Sequence, residues 1–159
     1  MNCASGHGER LEWAVASLAL AGEARSGDLH FVTEGEWGGL AAVVDGVGHG
    51  EEAMAAAQAA VAQLQAHARA AAEPKTESVL LRGGVVGSHL PPLQANMFSI
   101  DYGDVLIFST DGVRPGFTGG LSLGVPIRAM AERILKDYAR GNDDALVLAV
   151  RYLGRQSRG

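Results

Sequence analysis

Cysteine is almost missing from this chain. Cys3 is the only one in 159 residues, so no intrachain disulfide can form, and the composition is compatible with a reducing compartment. Positive charge is also in short supply. Thirteen Lys and Arg stand against 18 Asp and Glu, a formal net charge of -5, which argues against a nucleic-acid partner. No apolar run approaches the roughly 20 residues of a membrane span. The nearest thing to a targeting segment, Trp13 to Ala21 (WAVASLALA), is short and follows Glu9, Arg10 and Glu12. A signal peptide has a basic lead-in. With large residues alternating at Leu11, Trp13 and Val15, the segment reads as a strand, and the chain is expected to be cytoplasmic. Internal repeats, low-complexity linkers and a domain boundary are lacking too, so residues 1–159 are expected to form a single domain.

What is present is enough apolar material for a core, 47% of the residues. Met1 to Gly8 read as a loose polar tail. Leu11 to Leu20 and Leu29 to Thr33 read as strands, with Gly35 to Gly39 (GEWGG) as a turn. Leu40 to Val44 (LAAVV) is apolar on both faces, as a buried strand is. The alanine-rich stretch from Glu51 to about Ala71 predicts a helix, with Met54, Ala57, Val61, Leu64 and Ala68 at helical spacing and two acids in the first turn. Ser78 to Leu81 and Gln94 to Ile100 read as further strands, the latter in a hairpin with Val105 to Ser109 (VLIFS) across a turn at Gly103-Asp104. A second helix is expected from Pro126, with Ile127, Met130, Ile134, Leu135 and Tyr138 on its apolar face and Gly141 at its C-cap. Ala145 to Tyr152 is the last strand, and Arg151, Arg155 and Arg158 form a basic, solvated end. Short links between strands favour antiparallel hairpins. The expected class is therefore α+β, with two antiparallel sheets covered by helices.

The acids sit in a pattern. Val44 runs into Asp45-Gly46, Ser109-Thr110 into Asp111-Gly112, Asp143-Asp144 opens the last strand, and Asp28 follows Ser26-Gly27. Any one of these is ordinary turn chemistry. As a set they raise a different possibility, because strand ends in one sheet can converge. Carboxylates about 5 Å apart repel by roughly 3 kcal/mol per pair at an effective dielectric near 20. A proton offsets that repulsion, and a hard divalent cation with a preference for oxygen does so better. Gly46 allows a tight turn that lets its carbonyl face such a cation.

Four blocks in order, SGD at 26–28, DGVGHG at 45–50, GDVLIFSTDG at 103–112 and NDD at 142–144, resemble the PPM-type metal-dependent protein serine/threonine phosphatases. Among these they resemble the small bacterial SpoIIE-like branch and its stressosome members of the RsbX type. The resemblance implies an α-β-β-α sandwich with a site for one to two Mn²⁺ or Mg²⁺ ions at one edge. Carried over by position, Asp45 would bridge two metals, the Gly46 carbonyl would bind one, Asp111 and Asp143 would hold the other, and Asp28 would sit close by. Asp143 fits the family pattern better than Asp144. Two such ions about 3.5–4 Å apart activate a water for in-line attack, so no protein nucleophile is needed, in keeping with a lone cysteine far from any phosphatase loop. The implied substrates are phosphoserine and phosphothreonine on STAS-domain proteins of a stress-signalling complex.

His49 is the nearest candidate to protonate the leaving oxygen; a metal-held water is the other. His7, His30, His67 and His89 show no ligand spacing, and Arg25 reads as a surface arginine. Two features depart from the family. Leu146 stands where a small hydroxyl residue is common. In addition, the chain passes from Ala72 to Lys75 with almost nothing between, so a segment near 66–75 is expected to be absent from this sequence. The competing function is a regulatory pseudophosphatase that binds a phosphorylated partner without cleaving it. A nucleotide phosphate loop at Gly46 to Gly50 is disfavoured, since neither a Walker lysine nor Rossmann spacing accompanies it.

Overall fold

The computed structural model describes residues 1–68 and 98–154. Within them the chain runs β1 (Asn2–His7), β2 (Leu11–Leu18), β3 (Leu29–Gly35), β4 (Gly38–Val44), α1 (Gly50–His67), β5 (Val105–Ser109), a 3-10 turn (Phe117–Gly120), α2 (Ile127–Tyr138) and β6 (Ala145–Tyr152). The class is α+β, with two antiparallel sheets. One has four strands in the order β1-β2-β6-β5, and the other is the hairpin β3-β4.

β6 is central because its sequence is apolar on both faces. Its residues Ala145 to Val150 are all buried. On one face Val147 and Ala149, with Ala14 and Ala16 of β2, pack against Met130, Ile134 and Leu135 of α2. On the other, Leu146, Leu148 and Val150 join Leu11 and Val15 of β2 and meet Val32, Ala41 and Val43 of the hairpin. The alternation of β-strand side chains sends alternate residues to the two layers. α2 buries Ile127, Met130, Ala131, Ile134 and Leu135, a stripe at positions i, i+3, i+4, i+7 and i+8. Its outer face carries the i,i+4 pairs Arg128–Glu132 and Arg133–Asp137. α1 packs on β3 and β4 through small residues, with Ala53 and Ala57 buried. Trp13 of β2 and His30 of β3 meet at 5.3 Å between ring centroids, a further link between the two sheets.

Several expectations are corrected. Met1 to Gly8 are not a loose tail, since Asn2 to His7 pair antiparallel with Ser17 to Glu12. The pairing is made by backbone groups at a sheet edge, where no apolar alternation is required. The first expected strand stops at Leu18 rather than Leu20, and the first helix begins at Gly50 and ends at His67, capped by Ala68. α2 ends at Tyr138 and is capped by Ala139, with Gly141 two residues beyond the cap. Residues 98–100 are not strand, and the described partner of β5 is β6; the turn itself is present, Asp104 N–H donating to the Asp101 carbonyl. Arg151 is not merely solvated. It pairs with Glu12 at 2.6 Å and donates to the Leu123 and Val125 carbonyls, holding the lead-in to α2. The expected strand at 78–81, residues 94–97, the junction at 69–75, His89, Arg155 and Arg158 lie outside the described residues.

Met130 and Ile134 are each 1% exposed. Met130→Ala or Ile134→Ala should lower unfolding free energy by roughly 2–5 kcal/mol, read from urea denaturation. Arg133→Ala on the outer face should change it by less than about 0.5 kcal/mol.

Candidate functional site

Strand register builds the site. In the hairpin Leu29 lies opposite Val44, so the next residues outward, Asp28 and Asp45, leave side by side. In the larger sheet Ser109 lies opposite Val147, and Leu18 opposite Ala145. Thr110-Asp111 and Asp143-Asp144 therefore emerge together at one end of that sheet. The two ends face each other. Asp45 feels Asp111, Asp143 and Asp144, and Asp28 feels Asp45, Asp144 and Asp143. All the strand-end acids singled out in the sequence thus come to one edge.

They do so in different surroundings. Asp28 is 5% exposed. Burial pushes its carboxyl up to about 7, and the neighbouring acids add to the rise, while a hydrogen bond from Thr110 works the other way. Thr110 Oγ1 donates to Asp28 Oδ2 at 2.8 Å and accepts from Leu146 N–H at 2.9 Å. Among the described residues Asp28 Oδ1 has no hydrogen-bond donor. Asp45 and Asp111 are exposed, and the Asp45 carboxyl is raised by partial burial and then by Asp111. Asp143 is half-buried, and one of its oxygens accepts from Asp144 N–H at 2.8 Å. Asp144 is 3% exposed, and both its oxygens accept backbone N–H groups, from Leu20 at 2.7 Å and Gly27 at 2.6 Å.

The backbone here is close-fitted. Gly46 N–H donates to the Gly27 carbonyl at 3.2 Å, and a Cβ on Gly46 would run into the Ala53 carbonyl of α1. A Cβ on Gly112 would collide with the Asp144 carbonyl. Glycine after Asp45 and after Asp111 is thus demanded by close approach, not by a left-handed backbone, since neither has a positive φ.

Among the described residues no three carboxylate, imidazole or thiol groups are drawn together into a ready-made metal cage. The donor set nevertheless fits a hard cation. It consists of oxygens only, from two facing strand ends, and includes a buried carboxylate whose ionised form is disfavoured and one of whose oxygens has no partner among the described residues.

His49 stands at the N-cap of α1, exposed, with Nδ1 2.7 Å from Glu23 Oε1. Arg25 is exposed, its nearest polar contact being Met54 Sδ at 3.7 Å. His7 and His67 are exposed, and His30 is half-buried against Trp13. Reading the sequence alone missed Thr110 and Glu23. Thr110 stood in the quoted STDG block, where a hydroxyl before a strand-end acid was the available signal. Glu23 had none. Leu146, which departs from the family pattern, brings no hydroxyl: its backbone N–H donates to Thr110 Oγ1, and its side chain fills the core between the sheets.

Solved structures share this arrangement of elements. A chain from a study of the bacterial stressosome, described as a modular system that has been adapted to control secondary messenger signaling, matches with a TM-score of 0.74 at 22% identity, over 90% of this chain and all of that one. RsbX, crystallised in complex with magnesium, matches with a TM-score of 0.73 at 16% identity, over 95% of this chain and all of RsbX. The fold is that of RsbX. At these identities the likeness is one of fold alone. No family model and no curated protein matches the sequence. No described helix is long and apolar enough to cross a membrane.

The raised Asp28 carboxyl has a consequence for stability. Well below the ordinary value of 3.8, Asp28 is protonated whether the chain is folded or not, and its contribution is intact. As pH rises from about 4 to about 7, the unfolded chain gives up the proton first, so the cation-free fold loses stability. Asp28→Asn keeps an oxygen for Thr110 and should flatten this decline by roughly 2–4 kcal/mol between pH 4 and 8, read from urea denaturation in EDTA. An unaltered pH slope would show that Asp28 is not the group responsible.

Proposed function

We propose that this chain is a PPM-type phosphoprotein phosphatase that removes phosphate from serine or threonine in cytoplasmic signalling partners. The observation that carries the reading is the meeting of Asp28 and Asp45 from one sheet with Asp111 and Asp143 from the other, around a buried carboxyl raised to about 7. The layering of α2, the four-stranded sheet, the hairpin and α1 supports an α-β-β-α sandwich. The magnesium complex of RsbX supports a divalent ion, and the stressosome neighbour supports stressosome-type signalling proteins as partners; that these are phosphorylated STAS-domain proteins rests on the sequence resemblance.

Asp45, the Gly46 carbonyl, Asp111, Asp143 and Asp28 would hold Mn²⁺ or Mg²⁺. When bound, such ions would supply charge neutralisation on the phosphoryl oxygens and activation of a water for in-line attack. The residues of the chain do the rest. Thr110 turns the Asp28 carboxylate by its hydroxyl. Gly46, fitted against Ala53, keeps Asp45 at the rim. His49 has Nδ1 2.7 Å from Glu23; as the imidazolium, paired there with the carboxylate, it would hand the Nε2 proton to the departing serine or threonine oxygen.

Hydrolysis of p-nitrophenyl phosphate and of a phosphoserine peptide should require Mn²⁺ or Mg²⁺ and cease in EDTA. Asp45→Asn and Asp111→Asn should each lower it at least about 100-fold. Activity indifferent to chelation or to both substitutions would refute the assignment, and tight phosphopeptide binding without turnover would identify a pseudophosphatase.

His49→Gln should separate the two substrates, because nitrophenolate leaves without a proton and a serine alkoxide does not. The ratio of nitrophenyl to peptide turnover should rise on the order of 100-fold. Equal losses on both would assign His49 a role other than proton donor.

A further inference from the structure

We propose that Asp144 is a positioning residue rather than a cation ligand: its carboxylate clamps the β2–β3 connection so that the acids of the hairpin face those of the larger sheet. The purpose of the clamp rests on the function proposed above, but the clamp itself does not.

Asp144 is linked, directly or through Gly27, to every other acid of the site or to that acid's neighbour. Its side chain binds Gly27 N–H, beside Asp28; the Gly27 carbonyl accepts Gly46 N–H, beside Asp45. Its carbonyl lies against Gly112, beside Asp111, and Asp143 precedes it. The second oxygen reaches Leu20 N–H, 124 residues away in sequence. A carboxylate 3% exposed is tolerated only if its charge is met, and short bonds from two N–H groups do that. The same bonds occupy both oxygens. Each oxygen keeps a second lone pair, but the carboxylate is 3% exposed and turned toward Gly27 and Leu20, and a cation drawing on it would compete with both short bonds. Asp143 differs. It is half-buried, and among the described residues only one of its oxygens is engaged, by Asp144 N–H. Of the adjacent pair, Asp143 is therefore the one able to face a cation, and Asp144 the one that decides where Asp28 and Asp45 stand.

The test uses the full chain. In cation-free wild type, NMR couplings across the hydrogen bonds should link Leu20 and Gly27 amides to the Asp144 carboxyl carbon, and these should persist when Mg²⁺ is added while the Asp143 carboxyl signal moves. Loss of the Asp144 couplings on Mg²⁺ addition would overturn the proposal, and this arm needs no variant. In Asp144→Asn without cation, amide exchange should quicken at least about tenfold at Leu20 and Gly27 and also at Gly46, which Asp144 does not touch. Mn²⁺ affinity, measured well below the melting temperature, should fall roughly 10- to 100-fold. Faster exchange at Leu20 and Gly27 with Gly46 unaffected, or with Mn²⁺ affinity unchanged, would reduce Asp144 to a local structural role. Lost Mn²⁺ binding with all three amides as protected as in wild type would make it a ligand. A wild type that takes up neither ion would sink the phosphatase reading, and the exchange of Gly46 would still decide the clamp.

Discussion

Negative charge held at close quarters is the constraint on which this molecule turns. Asp28 is buried, faces Asp45, Asp143 and Asp144, and resists ionisation up to about 7. Folding gains nothing from that arrangement by itself, since burial and like charge both oppose the ionised carboxylate. Ordinary turns at four strand ends would be satisfied by acids pointing into water. Here the fold instead brings them to one edge and supplies a hydroxyl, from Thr110, to hold the buried Asp28 in a fixed orientation. Perturbed carboxylates gathered in this way mark sites of chemistry more often than sites of stability.

The rest of the architecture serves that edge. β6, apolar on both faces, fixes the four-stranded sheet between α2 and the hairpin, so that the strand ends of both layers stop at the same level. Small residues then let the layers close. Ala53 of α1 meets Gly46, and Gly112 meets Asp144, each without room for another carbon. Backbone bonds between Gly46 and Gly27, and from Leu20 and Gly27 to Asp144, tie the hairpin to the sheet. Rigidity at the site comes from short polar bonds between segments far apart in sequence, laid over an apolar core that carries the stability. The fold shared with RsbX and with the stressosome chain shows that this frame recurs at low sequence identity, where the core need only keep its layers and not its exact residues.

Much of this was legible in the chain. Val105 to Ser109 and Ala145 to Tyr152 were readable residue for residue, because an apolar strand bounded by Gly, Asp and Thr has sharp ends, although only Ala145 to Val150 are buried and Val105 to Ser109 are half-buried or exposed. The apolar stripe of α2 was readable because period 3.6 survives in Ile127, Met130, Ile134 and Leu135. β1 was not, because Asn2 to His7 pair through main-chain groups that every residue owns. Glu23 was not, because its partner His49 lies 26 positions away and no local pattern marks such a pair.

The division at the site follows the same physics. Composition and local spacing determined that acids would stand at the ends of apolar strands, that glycine would follow two of them, and that no thiol or lysine loop competes for the chemistry. Only the tertiary structure decided that these acids share one edge, that the Thr110 hydroxyl reaches Asp28, and that Asp143 is open while Asp144 is engaged. Adjacent carboxylates are chemically identical in sequence. They differ here because the N–H groups of Leu20 and Gly27, brought in by the packing of one sheet on another, reach only one of them.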